Sequence, residues 1–259
     1  MSILRTQRLN ISISGNKIVS DAWFSVNSGE VVALIGPNGA GKTTLLKAMM
    51  GLIRVESGDI DYDGVQIRFN QQFQFAKFIS YLEQNSKSYW ALSVESVVML
   101  GRLPHLGRWR RPSAVDHQSV RKAMEVCDVL QFADRAVTTL SGGEQARVML
   151  ARTLATNPHF LLADEPVAGL DPAHQLDVME KLRNLADGGA GIVVVMHDLT
   201  LASRYCDRMT LLFDGHIVAD GVPQNVLSEE HLATAYGIEA LYHESVHGNI
   251  VIPVRRLKK

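Results

Sequence analysis

Three stretches of the chain are apolar at successive positions, without polar alternation. They are Val31-Val-Ala-Leu-Ile35, Phe160-Leu-Leu-Ala163 and Ile192–Met196. A strand that does not alternate is buried on both faces, as in a sheet covered by helices on each side. Gly36–Gly41 follows the first run as a turn, and Thr43–Met50 predicts a helix that Gly51 can end. Strands alternating with helices predict an α/β fold with a mainly parallel sheet.

The middle of the chain has a different period. From Ser86 to Ala155 the helical spacing dominates. Ser113 and Asp116 form a capping-box pattern, and Val120, Met124, Cys127 and Leu130 share one face of the helix behind it. This predicts a helical subdomain, residues 86–155, inserted into an α/β core made of residues 1–85 and 156–259. Beyond Gly221 only short helical signals remain, and Arg255-Arg-Leu-Lys-Lys259 reads as a solvated basic tail.

Composition narrows the function classes. The 259 residues carry 26 Lys+Arg against 27 Asp+Glu, a net charge of −1 that offers no general electrostatic basis for nucleic-acid binding. Cys127 and Cys206 have no metal-ligand spacing. The apolar runs fall far short of the roughly 20 residues of a membrane span, and Met1–Asn10 has no apolar core of a secretory signal. A soluble cytoplasmic protein is expected.

Gly36-Pro37-Asn38-Gly39-Ala40-Gly41-Lys42-Thr43-Thr44 fits the phosphate-loop pattern, directly after a buried strand and at the start of a helix. Successive backbone N–H groups and the helix N-terminus can face phosphate oxygens. Lys42 would contact the β- and γ-phosphates and Thr43 would ligate Mg²⁺. This loop predicts binding of a nucleoside triphosphate. About 120 residues on, Asp164 and Glu165 end a buried strand. Asp164 is placed to hold the Mg²⁺ shell, and Glu165 to polarise the attacking water or take its proton. His197 follows the third apolar run, at the edge of the sheet where open α/β folds bind ligands.

Leu140-Ser-Gly-Gly-Glu-Gln145 precedes a helical run. Ser141 and Glu144 make a capping box, but Gly142 and Gly143 in the first turn lower helix stability by up to about 1 kcal/mol each relative to Ala. Their presence makes sense if something must approach that backbone closely, and a helix N-terminus suits an anion.

Taken in order, these motifs resemble an ATP-binding-cassette ATPase over nearly the whole chain, one P-loop NTPase domain with a helical insert. The resemblance implies that Leu140–Gln145 is the signature, that Ala168-Gly-Leu-Asp171 is the loop after the carboxylate pair, and that His197 is the switch histidine. Gln84 falls where the family joins core to insert and touches metal or water. Such cassettes are similar in working as pairs, with Ser141, Gly142, Gly143 and Glu144 of one copy serving the ATP held by the other. Three departures stand out: no aromatic residue in Ile11–Gly15 to stack on adenine, Val167 in place of a common Thr, and Glu83 where Pro is frequent.

Val98–Gly107, Asp171–Gln175 and Pro223–Leu227 look like the ATPase subunits of importers for iron-siderophore, haem or cobalamin. Zinc or manganese importer ATPases and soluble iron–sulfur-assembly cassettes are the alternatives. The resemblance implies a motor at the cytoplasmic face of the membrane, bound to a separate integral-membrane permease and, through it, indirectly to a substrate-binding protein, with no nucleic-acid partner. Ser88–Leu92 and Gly101–Arg111 offer aromatic and basic residues for an exposed docking surface.

Overall fold

The protein is described here by a computed structural model covering residues 2–84, 91–106, 110–246 and 248–257. Two long strands, β1 (Ile3–Ile13) and β2 (Asn16–Asn27), pair antiparallel at the start. With β4 (Ser57–Tyr62) and β5 (Val65–Gln66) they form a four-stranded antiparallel sheet ordered β2-β1-β4-β5. The hydrophobic pattern does not announce it. Pairing register shifts between Thr6 and Leu9, and Arg8 and Asp21 have left-handed φ of 49° and 46°, so the alternation is broken where it would be read.

The second sheet holds six strands: β3 (Val31–Ile35), β6 (Ile79–Leu82), β7 (Phe160–Asp164), β8 (Gly191–Val195), β9 (Arg208–Phe213) and β10 (His216–Gly221). Their order is β10-β9-β3-β8-β7-β6, parallel except for the antiparallel β9–β10 edge pair. The non-alternating runs are explained by two separate cores. Val31, Ala33, Ile35, Leu161, Ala163, Ile192 and Val194 face one, and Val32, Leu34, Phe160, Leu162, Val193 and Val195 face the other.

The second core is closed by helix α1 (Lys42–Met49), by α2 (Gln72–Phe75) through Phe75, and by the antiparallel sheet. The first is closed by a set of helices lying between β6 and β7: α3 (Val94–Met99), a 3₁₀ turn at Leu100–His105, α4 (Ala114–Val126) and α5 (Gly142–Leu154). Helices α6 (Pro172–Asp187) and α7 (Leu199–Tyr205) complete it. Between β6 and β7 the described residues contain no strand, only an isolated bridge from Ser93 to Ala136.

The C-terminal part corrects the sequence expectation. After α8 (Pro223–Val226), α9 (Glu229–His231) and a π-helical turn at Leu232–Tyr236 comes a hairpin of β11 (Ile238–Ser245) and β12 (Gly248–Arg256). Arg255 and Arg256 belong to β12, and Arg255 pairs with Glu239 across the hairpin, so they are not a free tail. Lys258 and Lys259 lie outside the described residues, as do Ser88, Tyr89, Trp90 and Gly107. Within Gly101–Arg111 exposure is uneven: Leu103 is 58% exposed, but Gly101 and Arg102 are buried.

Arg102 is held inside by a specific geometry. Its Nε donates to Asp116 Oδ1 at 2.9 Å and its Nη1 to the carbonyl of Ala155 at 2.8 Å. Asp116 Oδ2 also accepts from the amide and hydroxyl of Ser113, the cap of α4. These bonds, first those from Ser113 and then the guanidinium, hold the Asp116 carboxyl well below the usual carboxylate range. Because its folded value is depressed, its stabilisation is full above about pH 4 and is lost as pH falls toward that value. Arg102→Met should therefore cost about 3 kcal/mol of unfolding free energy at pH 7, by stranding a buried carboxylate. Asp116→Asn should flatten the stability profile below about pH 4, as read by urea denaturation at a series of pH values.

Candidate active site

The sheet order brings the expected site residues to one edge. β3, β8, β7 and β6 lie side by side and parallel, so the segments leaving their C-terminal ends emerge together. Those segments carry the phosphate loop, His197, Asp164 with Glu165, and Gln84 respectively. In an open α/β sheet this is the ligand-binding edge.

The phosphate loop is shaped by what surrounds it. Gly36 has φ +148°, and a Cβ there would lie 2.1 Å from the Leu212 carbonyl oxygen. Gly41, with φ +105°, caps α1, and its Cβ would meet the Ile18 carbonyl at 3.0 Å. Lys42 is buried; its Nζ donates to the carbonyls of Gly36 at 2.8 Å and Pro37 at 3.0 Å. Burial lowers the Lys42 pKa, while the charges of Glu165 and Asp164 push it back up. Asn38 and Gly39 are exposed, Ala40 is buried, and Thr43 and Thr44 are half-buried in the first turn of α1. Where the aromatic residue is missing, Ile13 is 46% exposed at the end of β1.

Three polar side chains form a chain of contacts beside this loop. Glu165 Oε2 accepts from Gln84 Nε2 at 2.6 Å, and Glu165 Oε1 lies 2.6 Å from His197 Nε2. Glu165 itself has φ +50°, a left-handed turn that a non-glycine residue seldom adopts and that marks functional sites more than ordinary loops. Asp164 is buried at the end of β7; Tyr81 Oη donates to its Oδ2 at 3.1 Å, and its Oδ1 has no hydrogen-bond partner among the described residues. Burial, then the Asp164 charge, raises the Tyr81 pKa well above the ordinary phenol value, so the hydroxyl stays a donor.

A buried carboxylate oxygen without a hydrogen-bond donor, close enough to Lys42 for its charge to be felt there, fits a divalent cation. Tyr81 was not singled out by the sequence, because an aromatic residue in a strand ordinarily reads as core. The pairing of β6 with β7, Tyr81 opposite Leu162, is what turns it toward Asp164.

The remaining expected residues gather elsewhere. Ser141 caps α5, accepting from the Glu144 amide at 3.3 Å, while the Glu144 carboxylate accepts from the Ser141 amide at 2.7 Å. Asp171 caps α6 and also bonds His174, which lowers its pKa. Ser141, Gly143, Glu144 and Asp171 line a separate cleft of about 270 Å³ with Arg147 and His174. A Cβ on Gly142 would meet nothing within 4 Å, and one on Gly143 only Leu170 Cδ2 at 3.9 Å. Nothing among the described residues therefore requires glycine there. Arg147 Nε is buried without a hydrogen-bond partner among the described residues, a second feature of the cleft that the sequence did not flag.

Tyr81→Phe tests the metal-facing role of Asp164. Removing the hydroxyl leaves the buried carboxylate without a donor from Tyr81, and should lower stability by about 1–3 kcal/mol without nucleotide. Saturating Mg²⁺ and ATP should narrow that gap, measured by thermal denaturation. An equal gap in both conditions would remove Asp164 from the metal's surroundings.

Comparison with known proteins identifies the family. The family model described as ABC transporter matches residues 19–168. The chain is 40% identical over 256 residues to the hemin import ATP-binding protein HmuV of Rhodococcus jostii (strain RHA1), covering 97% of this chain and 86% of that one. It is 39% identical to the cobalamin import ATP-binding protein BtuD of Halobacterium salinarum (strain ATCC 29341 / DSM 671 / R1), covering 88% of this chain and 57% of that one. Among solved structures, a metal-chelate type ABC transporter in an inward-facing conformation superimposes with a TM-score of 0.84 at 25% identity, covering 100% and 99% of the two chains. The ADP conformation of an ATP-binding cassette of an ABC transporter gives 0.79 at 25% identity, covering 91% and 98%. No helix among the described residues is long and apolar enough to cross a membrane. With the family model matching residues 19–168 and a relative 40% identical over nearly the whole chain, the chain belongs to the ABC transporter family as one of its ATP-hydrolysing subunits.

Proposed function

We propose that this chain is the motor of an importer for a large metal chelate or corrinoid, of the iron-siderophore, haem or cobalamin type. The names of the relatives and the metal-chelate type of the structural neighbour support that substrate class. The observation that carries the hydrolytic reading is the Gln84–Glu165–His197 chain beside Lys42.

In this reading the phosphate loop, Gly36 to Thr44, holds ATP. Thr43, Gln84 and Asp164 would hold Mg²⁺, which supplies neutralisation of charge on the β- and γ-phosphates. Lys42 keeps its ammonium on the phosphates because the two loop carbonyls fix its direction. Glu165, held at both carboxylate oxygens, polarises the attacking water or accepts its proton, and His197 positions that carboxylate. Ile13 gives adenine an apolar surface without ring stacking.

Ser141, Gly142, Gly143, Glu144 and Asp171 complete the site of a second copy. The open space above Gly142 and Gly143 at the N-terminus of α5 supports an anion arriving from outside the chain. The helical subdomain, residues 86–155, carries the contact to an integral-membrane permease, and the motor sits peripherally at the cytoplasmic face of the membrane. A substrate-binding protein acts only through that permease, and no nucleic acid is involved.

Glu165→Gln keeps the size of the side chain but cannot accept a proton. It should bind ATP normally, lower turnover by at least about 100-fold, and accumulate a nucleotide-dependent dimer in sedimentation. Wild-type turnover would remove Glu165 from its role. A strictly monomeric ATP-bound variant, with or without the membrane subunit, would contradict the shared site.

Leu103→Ser tests the docking surface. This exposed side chain lies in the 3₁₀ turn Leu100–His105, outside the segments that carry the phosphate loop, Gln84, Asp164, Glu165 and His197. The variant should retain ATP hydrolysis yet bind the permease weakly and lose transport in reconstituted vesicles. Normal transport would place the docking surface elsewhere.

A further inference from the structure

Two successive side chains at the start of α6 clasp the loop that precedes it. Side chains on a helix lean toward its N-terminus, so His174 and Gln175 reach back over that loop. His174 Nδ1 lies 2.5 Å from Asp171 Oδ2, and the His174 amide donates to Asp171 Oδ1 at 3.1 Å. Gln175 Nε2 donates to the Leu170 carbonyl at 3.1 Å and, more weakly, to the Val167 carbonyl at 3.4 Å. An apolar side chain would cover this half-buried position equally well; the amide is what ties the two carbonyls to the helix.

The clasped loop carries a functional group at each end. At its start, Glu165 is left-handed and its carbonyl accepts from the Ala168 amide at 3.1 Å. Such a strained residue keeps its conformation only where its surroundings over-determine it. Gln175 supplies part of that constraint, because it bonds the residues on either side of the Ala168–Gly169 pair. Gly169 is itself left-handed, at φ 73°, so the loop doubles back here instead of running straight into α6. At the far end Gly169, Leu170 and Asp171 line the cleft shared with Ser141 and Gly143. The residues from the hydrolytic carboxylate to that cleft are thus one short, cross-tied piece of chain.

We propose that Gln175 is a positioning residue for ATP hydrolysis: by tying the Val167 and Leu170 carbonyls to α6 it makes Glu165 and Asp171 the two ends of one stiff piece, so that a second copy meeting Asp171 also sets Glu165 against the attacking water. His174 serves the other end, holding the Asp171 carboxylate in the cleft. The inference rests on the reading of that cleft as half of a second copy's site.

The test is Gln175→Leu in the full chain, assayed at a temperature where thermal denaturation shows variant and wild type both folded. ATP affinity, measured by equilibrium binding, should stay within about twofold of wild type, because the phosphate loop is untouched. In the Glu165→Gln background the ATP-dependent dimer should form as before. The kcat at saturating ATP should nevertheless fall about five- to tenfold, the worth of one hydrogen bond that positions Glu165. Gln175→Glu keeps the shape but repels both carbonyls, and should lose rate in the same way should the leucine variant not fold. His174→Leu should instead weaken the dimer about fivefold, with His174→Asn, which keeps a donor toward Asp171, restoring it. A merely structural Gln175 would lower the melting temperature and leave kcat unchanged below it, and that result overturns the proposal. A loss of ATP affinity as large as the loss of rate overturns it too. If Glu165→Gln stays monomeric with ATP, alone and with the membrane subunit, the shared-site reading fails and this inference with it. If it dimerises while Gln175→Leu hydrolyses at the wild-type rate, Gln175 alone is excluded.

Discussion

The structure turns on keeping one ammonium group out of water. Lys42 is buried, and burial works against its charge. The chain offsets this with two loop carbonyls and with the nearby charges of Glu165 and Asp164. That arrangement requires the loop to curl tightly enough for the Gly36 and Pro37 carbonyls to face inward, and hence a residue with no Cβ against the Leu212 carbonyl. It also requires two carboxylates on the strand next but one to β3 in the sheet. The doubly covered parallel sheet supplies both, because β3 and β7 flank β8 with their C-terminal ends level.

The same geometry explains why the site is divided. Everything carried by the parallel edge converges on Lys42, whereas the N-terminus of α5 and the cap of α6 form their own cleft. Among the described residues, a side chain at Gly142 or Gly143 would meet nothing closer than Leu170 Cδ2 at 3.9 Å. Such glycines weaken a helix start unless an outside group uses them. Under the proposed function, a motor built this way would couple hydrolysis to the approach of two chains.

Legibility in the sequence followed the strength of local signals. β3, the phosphate loop, α1 and the capping boxes of α4 and α5 could be read within a residue or so, because each is set by neighbours along the chain. The antiparallel sheet could not: its bulges at Arg8 and Asp21 break the period that defines a strand. The C-terminal hairpin was hidden for another reason. Its outward Leu241, Ile252 and Val254 face solvent while Val251 is buried, so no clean apolar stripe marks either strand. Among site residues, Gln84, Glu165 and His197 were found through motif order, but their contacts depend on strand pairing 32 to 81 residues apart in sequence. Tyr81 matters only through such a pairing, that of β6 with β7, and no local pattern could have named it.

The claim that one chain holds half of two sites is tested most directly by mixing two inactive variants. Lys42→Ala removes the phosphate-facing charge and leaves the signature intact; Ser141→Arg blocks the signature and leaves the phosphate loop intact. Each alone should hydrolyse almost no ATP. An equal mixture should recover up to about a quarter of the wild-type rate, since about half of random dimers are hybrids and each hybrid holds one complete site. A mixture as inactive as its components, with hybrid dimers confirmed by sedimentation, would contradict the account, as would full activity of Ser141→Arg on its own.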